Sequence, residues 1–425
     1  MPDVPPATPD GADGGPVDTR IRRGTPEFRR LTAAIFAAGL ATFAVVYTTQ
    51  PLLPVLSREL HVSPATSSLT LGVTTATLAL SLLPALWLSE AWGRTRVMSA
   101  SLVASGLLGL LAAAAPSFEA LLVVRALQGI SVAGIAGVTM GYLAEEVHPS
   151  SLGTAIGLYL AGNGIGGMVG RLLGGGLADA FDWRAALLGI GVLSLTCSSV
   201  FLLRRPPSTR FVARPFRARE SLDGIVRQFR EPGLVRLNVI GVLMMGAFLA
   251  IFNGMTFRLA AAPYGLGEAA LGAVFLVYAL GSSSSALAGR AADVVGRRAV
   301  LPAAVLVVVA GMALTLARPL GLVVVGIAVV TIGFFATHSV CSSWVGRRAL
   351  RNPGQASAVY VLCTYVGSSV FGPLGGAAWS WRAWDGVALL AGVLVLLTLV
   401  MALQLRRTPP RAPLDVTPAV VAPPG

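Results

Sequence analysis

The stretch MVGRLLGGG, residues 168–176, sets one guanidinium, that of Arg171, among residues that otherwise suit lipid. A second, Arg125, opens RALQGISVAG (125–134), three residues before Gln128. A charge inside an apolar run is costly unless it faces a cavity, finds a partner or snorkels to the interface. Two such arginines could bind an anion, tune a nearby acid through their field, or clamp helices. Asp179 and Glu119 are the acids a snorkelling side chain would meet. Metal or pyrophosphate chemistry has little to build on: the one adjacent acid pair is Glu145–Glu146, with His148 near. No P-loop is present, which argues against ATP-driven transport within this chain. Cys197, Cys341 and Cys363 lack metal-like spacing and read as small core residues. No metal, cofactor or enzymatic role is expected.

The elements that carry these residues are apolar spans. The 425 residues are 55% hydrophobic and only 12% charged, with mean hydropathy +0.75, against about 25% charged in a soluble domain. Twelve runs are long enough to cross a bilayer: 31–50, 69–88, 98–115, 121–143, 155–178, 184–203, 237–257, 269–288, 299–316, 320–343, 356–379 and 386–405. The expected fold is therefore an all-α polytopic membrane protein. Its partners are a lipid bilayer and a small-molecule substrate. The net charge of +13 does not point to nucleic acid, because it lies in short loops between spans.

All 32 basic residues are arginine, which suggests a GC-rich bacterial genome. With the N-terminus inside, 25 of them fall in inside segments and 5 in outside loops. That asymmetry predicts a bacterial inner-membrane protein with both termini cytoplasmic. Residues 1–30 and 406–425 read as disordered tails, and 204–236 as an Arg-rich cytoplasmic linker. Part of that linker, SLDGIVRQFREPGLVR, could lie on the anionic leaflet as an amphipathic helix; a solvated connection is the plainer alternative. The linker divides the spans into six-helix bundles over 31–203 and 237–405.

The halves echo each other. SEAWGRTRVM (89–98) follows the second span and AADVVGRRAVL (291–301) the eighth; Glu90 and Asp293 are each followed by Gly-Arg at the third and fourth positions. GRLLGG (170–175) has a counterpart in GPLGG (372–376), and DWRAAL (182–187) in WDGVAL (384–389). Two related six-helix bundles joined by one long loop suit an alternating-access carrier, which can work as a monomer.

On these residues the chain resembles the major facilitator superfamily. GRAADVVGRR (289–298) fits that family's loop signature at every fixed position, and RALQG fits its fourth-span element. Gly157, Gly166, Gly170, Gly174 and Gly175 fall at the spacing typical of its antiporters, with Arg171 where the motif has proline. VYTTQPLLPVLSREL (46–60), GNGIGGMVGR and YVGSSVFGPLGG (365–376) are similar to bacterial inner-membrane efflux permeases, including acriflavine-sensitivity and arabinose-efflux-like members. The first-half loop departs from the signature, with Glu90 for Asp, Leu86 for the leading Gly and Thr95 for a basic residue.

The resemblance implies a conformational latch favouring the outward-open state, built from Glu90, Gly93, Arg94, Gly289, Asp293, Gly296, Arg297 and Arg298. It implies that the five glycines let the fifth helix bend. Arg125, Gln128 and Arg171 are the candidate coupling or cavity residues, with Arg171 either a second cavity cation or a clamp. Tyr47, Gln50, Asn163 and Asn253 are candidate substrate contacts by position. A proton gradient is the expected energy source. Its carrier is open among Glu119, Asp179, Glu145, Glu146 and His338, since no acid stands at the centre of a span. The expected activity is proton-coupled efflux of a small amphipathic molecule. A neutral or anionic metabolite such as a sugar or organic acid is the alternative, and a non-transport membrane protein a remote one.

Overall fold

The computed structural model describes residues 20–208, 211, 226, 228–349 and 353–408. Residues 1–19 and 409–425 of the proposed tails and much of the proposed linker lie outside the described residues; residues 26–30, expected in the disordered tail, are instead helical, because the Thr25–Pro26 cap starts the first helix ahead of the apolar run.

Lipid offers no hydrogen bonds, so a spanning backbone must bond within its own helix, and the described chain is helical almost throughout. The one isolated β-bridge among the described residues joins Ile21 to Val147. Among the described residues ten helices are long and apolar enough to cross a membrane, and two of these, Glu268–Thr315 and Gly354–Arg406, each hold two legs. The twelve legs are α1 (Pro26–Tyr47), α2 (Pro64–Trp92), α3 (Arg94–Ala113), α4 (Phe118–Ala136, continued by Thr139–Glu146), α5 (Pro149–Ala180) and α6 (Trp183–Arg204). In the second half they are α7 (Pro232–Ala260), α8 (268–291), α9 (Arg297–Thr315), α10 (Leu320–Arg348), α11 (353–381) and α12 (384–406).

Local chemistry sets the helix starts. Thr25, Ser63, His148 and Glu231 each precede a proline, and each side chain accepts a backbone N–H of the first turn. Proline has no N–H to lose there and its φ is already helical. The Thr25–Pro26 cap starts α1 five residues ahead of the apolar run at Leu31. Between α11 and α12 the chain turns at Arg382 and Ala383, the latter at φ 46°.

The repeat seen in the sequence is present in the backbone. Gly93 and Gly296 end corresponding legs at φ 99° and 95° and start the next. That left-handed region suits a residue with no Cβ.

Both described chain termini lie at one end of the bundle, called here the terminal end. Ile21 N–H donates to Glu146 O, while Thr408 accepts from Arg236 and Arg298. The buried clusters differ between the two ends. One around Phe28, Leu31, Tyr142 and Phe201 belongs wholly to the first half, and one around Leu234, Leu301, Cys341 and Tyr360 wholly to the second. A third cluster joins the halves, packing Val46, Tyr47, Leu71 and Val132 against Phe248, Phe252, Phe275 and Tyr365. The hydrogen bonds and ion pair that cross between halves, among the described residues, also lie from mid-depth to the far end.

Candidate functional site

The site forms where α1 meets α5 and both meet the second half. α1 and α5 run parallel. A methyl on Gly162 would sit 2.5 Å from Phe36 O, one on Gly166 2.6 Å from Leu40 Cα, and one on Gly170 2.5 Å from Ala44 O. Each four-residue step on one helix matches a four-residue step on the other, so the bare faces let the two backbones touch. Gly174 continues the stripe against Thr48. Gly157 has nothing within 4 Å, and Gly175 faces the second half, where a methyl would lie 3.2 Å from Gly272 Cα. α5 is continuously helical from Pro149 to Ala180.

The two intramembrane arginines flank the end of α1, each 1% exposed. Arg125 donates to Val45 O and Val46 O at 2.9 and 2.8 Å, to Thr70 O at 3.0 Å and to Gln128 Oε1 at 2.8 Å. Val45 and Val46 lie in the last turn of α1, whose carbonyls have no intrahelical donor and carry the negative end of the helix dipole. Arg125 thus ties α1, α2 and α4 together.

Arg171 has different company. Its Nε donates to Gln50 Oε1 at 2.8 Å, Nη1 to Gly167 O at 2.9 Å, and Nη2 to the Tyr278 hydroxyl at 3.4 Å. The guanidinium carbon lies 4.2 Å from the Tyr47 ring centre and 4.6 Å from those of Phe275 and Tyr278. Ring faces are negative and attract a cation, more strongly out of water. Gln50 Nε2 then donates to Asn253 Oδ1 on α7 at 2.9 Å. Among the described residues no carboxylate lies within ion-pair distance of either arginine.

The structure therefore gathers Tyr47, Gln50, Arg171 and Asn253, and adds Phe275 and Tyr278, which the sequence did not single out. Both rings lie in α8, Phe275 opening a 3-10 turn, Phe275–Val277, and Tyr278 directly after it. They extend into an aromatic wall with Phe248, Phe252, Phe334 and Phe335. Phe248 and Phe334 stack at 3.8 Å. Asn163 lies two turns from Arg171 toward the terminal end, against Gly39. His338 Nδ1 meets the Tyr360 hydroxyl at 3.2 Å, and Phe334 stacks on its ring. The serines of α8 bond α10: Ser284 and Ser285 donate to Ile332 O and Phe335 O.

The loop motifs sit at the terminal end. Arg94 pairs with Glu145 at 3.0 Å, approaches Glu90 at 3.9 Å and donates to Ser89 Oγ. Asp293 lies in a π-helical turn, Ala292–Gly296, where Arg297 and Arg347 reach it at 2.9 and 3.3 Å. Arg298 donates to Thr408 O, and Gly289 lies 4.0 Å from Ser339 Oγ by its missing Cβ. All these contacts stay within one half. Of the remaining acids, Glu146 accepts from Ser208, Asp179 lies against Gly267 at the far end, and Glu119 sits in the first turn of α4.

Two six-leg bundles that meet over only part of their depth, around a polar and aromatic centre, define a membrane transporter. The chain belongs to the Major Facilitator Superfamily, whose model matches residues 35–285. It is 43% identical to the MFS-type transporter YybF of Bacillus subtilis, over 92% of this chain and 96% of that one. It is 40% identical to the inner membrane transport protein YnfM of Escherichia coli, over 94% and 98%. In fold it is similar to a bacterial homolog of the human lysosomal transporter Spinster, solved in an inward-facing and unoccupied conformation. That match has TM-score 0.75 at 16% identity and covers 90% of this chain and 98% of the other.

Proposed function

We propose that this transporter exports a small amphipathic solute across a bacterial inner membrane, by alternating access coupled to inward proton flow. The observation that carries the reading is the distribution of contacts between the halves. They lie from mid-depth to the far end, around Arg171, while the clusters at the terminal end are each confined to one half. With the arginine-rich terminal end in the cytoplasm, as the positive-inside asymmetry favours, this is an inward-facing form awaiting a cytoplasmic solute. The wall from Phe248 to Phe335 supplies an apolar surface, and the loop charges around Glu90 and Asp293 supply the latch that the opposite form would engage. In this reading the chain acts as a monomer and has no catalytic role.

A second reading keeps the carrier and changes the solute to a neutral or anionic metabolite. It is favoured by Arg171, a buried cation with only neutral partners.

Proteoliposomes with an imposed pH gradient test both. Cationic dyes, sugars and organic anions would be offered in turn, each with and without a protonophore. Protonophore-sensitive movement of amphipathic solutes is the expected outcome. Movement of sugars or small organic acids alone would replace the first reading with the second, and no solute or proton movement would refute both.

A further inference from the structure

The hydrogen bonds around Arg171 have a fixed direction. A guanidinium only donates, so the Gln50 carbonyl must face Arg171 and the Gln50 amide nitrogen must face away. That nitrogen donates to Asn253 Oδ1, which leaves Asn253 Nδ2 as the end of the chain. Asn253 is fully buried and its Nδ2 has no acceptor among the described residues. The array is rich in donors and short of acceptors.

Its partners are divided between the halves. Arg171, Gln50, Tyr47 and Gly167 belong to the first half and are held together by the α1–α5 glycine contact. Asn253, Phe275 and Tyr278 belong to the second. Parting the halves at the far end takes the Tyr278 hydroxyl from Arg171 Nη2, two ring faces from its guanidinium, and the Asn253 carbonyl from Gln50 Nε2. What stays on the first half is a cationic N–H and a neutral N–H on bonded neighbours, beside the Tyr47 ring.

Two adjacent donors, one of them from a guanidinium, match the two oxygens of a carboxylate. We propose that opening of the far end uncovers a carboxylate-binding site made by Arg171, Gln50 and Tyr47, which takes the carboxylate of an aromatic or aliphatic acid. The proposal rests on the alternating-access reading above and concerns the far-end-open form, the one from which an exporter releases its solute; it names the ligand class that form holds. A ligand that binds only the far-end-open form must draw the population toward that form.

The test uses the full chain in lipid nanodiscs, with Cys197, Cys341 and Cys363 replaced by alanine. Spin labels go on Ala180→Cys and Ala270→Cys, exposed positions on α5 and α8 beside the Gly175–Gly272 contact. Pulsed dipolar spectroscopy then reads the distance between them. Sodium benzoate is the probe, compared with sodium chloride and benzylammonium chloride at equal ionic strength. Benzoate is expected to raise the long-distance fraction several-fold, and the other two to leave it unchanged. Arg171→Gln is expected to abolish the response. Gln50→Glu gives Arg171 an internal carboxylate, so this variant should keep the parent's melting temperature yet ignore benzoate. No benzoate response in the parent, an equal response to chloride, or an undiminished response in Gln50→Glu would each overturn the proposal. A benzoate response in a protein that moves no solute would uphold this site and sink the transport reading. Transport without a benzoate response would do the reverse.

Discussion

A guanidinium out of water must be answered by something, and this chain gives three answers. Arg125 takes helix-end carbonyls, Arg171 takes rings and an amide, and Arg348, at the terminal end, takes an acid. Arg348 Nε donates to both oxygens of Glu231 at 3.0 Å and Nη2 to Oε1 at 2.8 Å. Partial burial pushes the Glu231 carboxyl up, but its bonds from Arg348 and from the Leu234 and Gly233 N–H groups outweigh that and hold it below the ordinary carboxylate range. A carboxyl lowered on folding stabilises the native form above its unfolded pKa, about 4.3, and that contribution fades as pH falls through the folded value. Melting of the purified protein should therefore lose a component below about pH 4.3 that Glu231→Gln lacks at every pH. At pH 7 that variant should lose about 1.5–3 kcal/mol, as expected for a charged hydrogen-bonded group. At this scale the sequence showed Arg171 as anomalous and named Tyr47, Gln50, Asn163 and Asn253 as substrate contacts by position; Tyr47 and Gln50 touch Arg171, Asn253 bonds Gln50, and Asn163 lies two turns away against Gly39. It gave no sign of Phe275 and Tyr278, because an aromatic in an apolar run looks the same whether it faces lipid or a cation.

At the scale of elements, the glycine spacing of α5 was visible in the sequence, but the surface each glycine meets was not. Gly166 and Gly170 let α5 lie backbone to backbone on α1, whereas Gly157 meets nothing. Gly166→Ala should cost about 1–3 kcal/mol, as overpacking does. Gly157→Ala should be neutral or stabilising by up to about 1 kcal/mol, since alanine is the better helix former and its methyl would meet nothing. Thermal unfolding of the two variants side by side checks the pair, and equal losses would contradict the packing described here. Hydropathy located all twelve legs because burial in lipid needs about 20 apolar residues whatever the fold. It missed the 3-10 turn at Phe275–Val277, which leaves the apolar count unchanged, and the start of α1, which a polar cap decides.

For the whole molecule, the repeated GR turns announced two related halves, and Gly93 and Gly296 share the same left-handed backbone. Which end is closed was not legible. The same helices can pack either way, and the choice rests on a difference of a few kcal/mol between two arrangements. Gly175 offers a handle on that difference, since a side chain there would press on Gly272 in the opposite half. Gly175→Leu should shift the population toward the far-end-open form. Labels at Ala180→Cys and Ala270→Cys should then report a longer mean distance without any ligand. An unchanged distance would mean that this contact does not limit closure.

The far end is shut along two unlike seams. Between α5 and α8 it is fastened by the caged Arg171, and beside it Arg58, on the short helix Leu53–Glu59 that follows α1, pairs with Glu268 of α8 at 3.3 Å. Between α2 and α11 it is fastened by shape, with Pro373 set into the notch at Gly72 and Gly376 against Pro64. The screening length falls from about 10 Å at 0.1 M salt to about 3 Å at 1 M, so strong brine weakens an exposed charge pair, while buried contacts are screened much less. The far end is held like a book: brine on the far side would thus weaken the Arg58–Glu268 clasp and leave the buried Arg171 cage and the α2–α11 packing, the spine, in place.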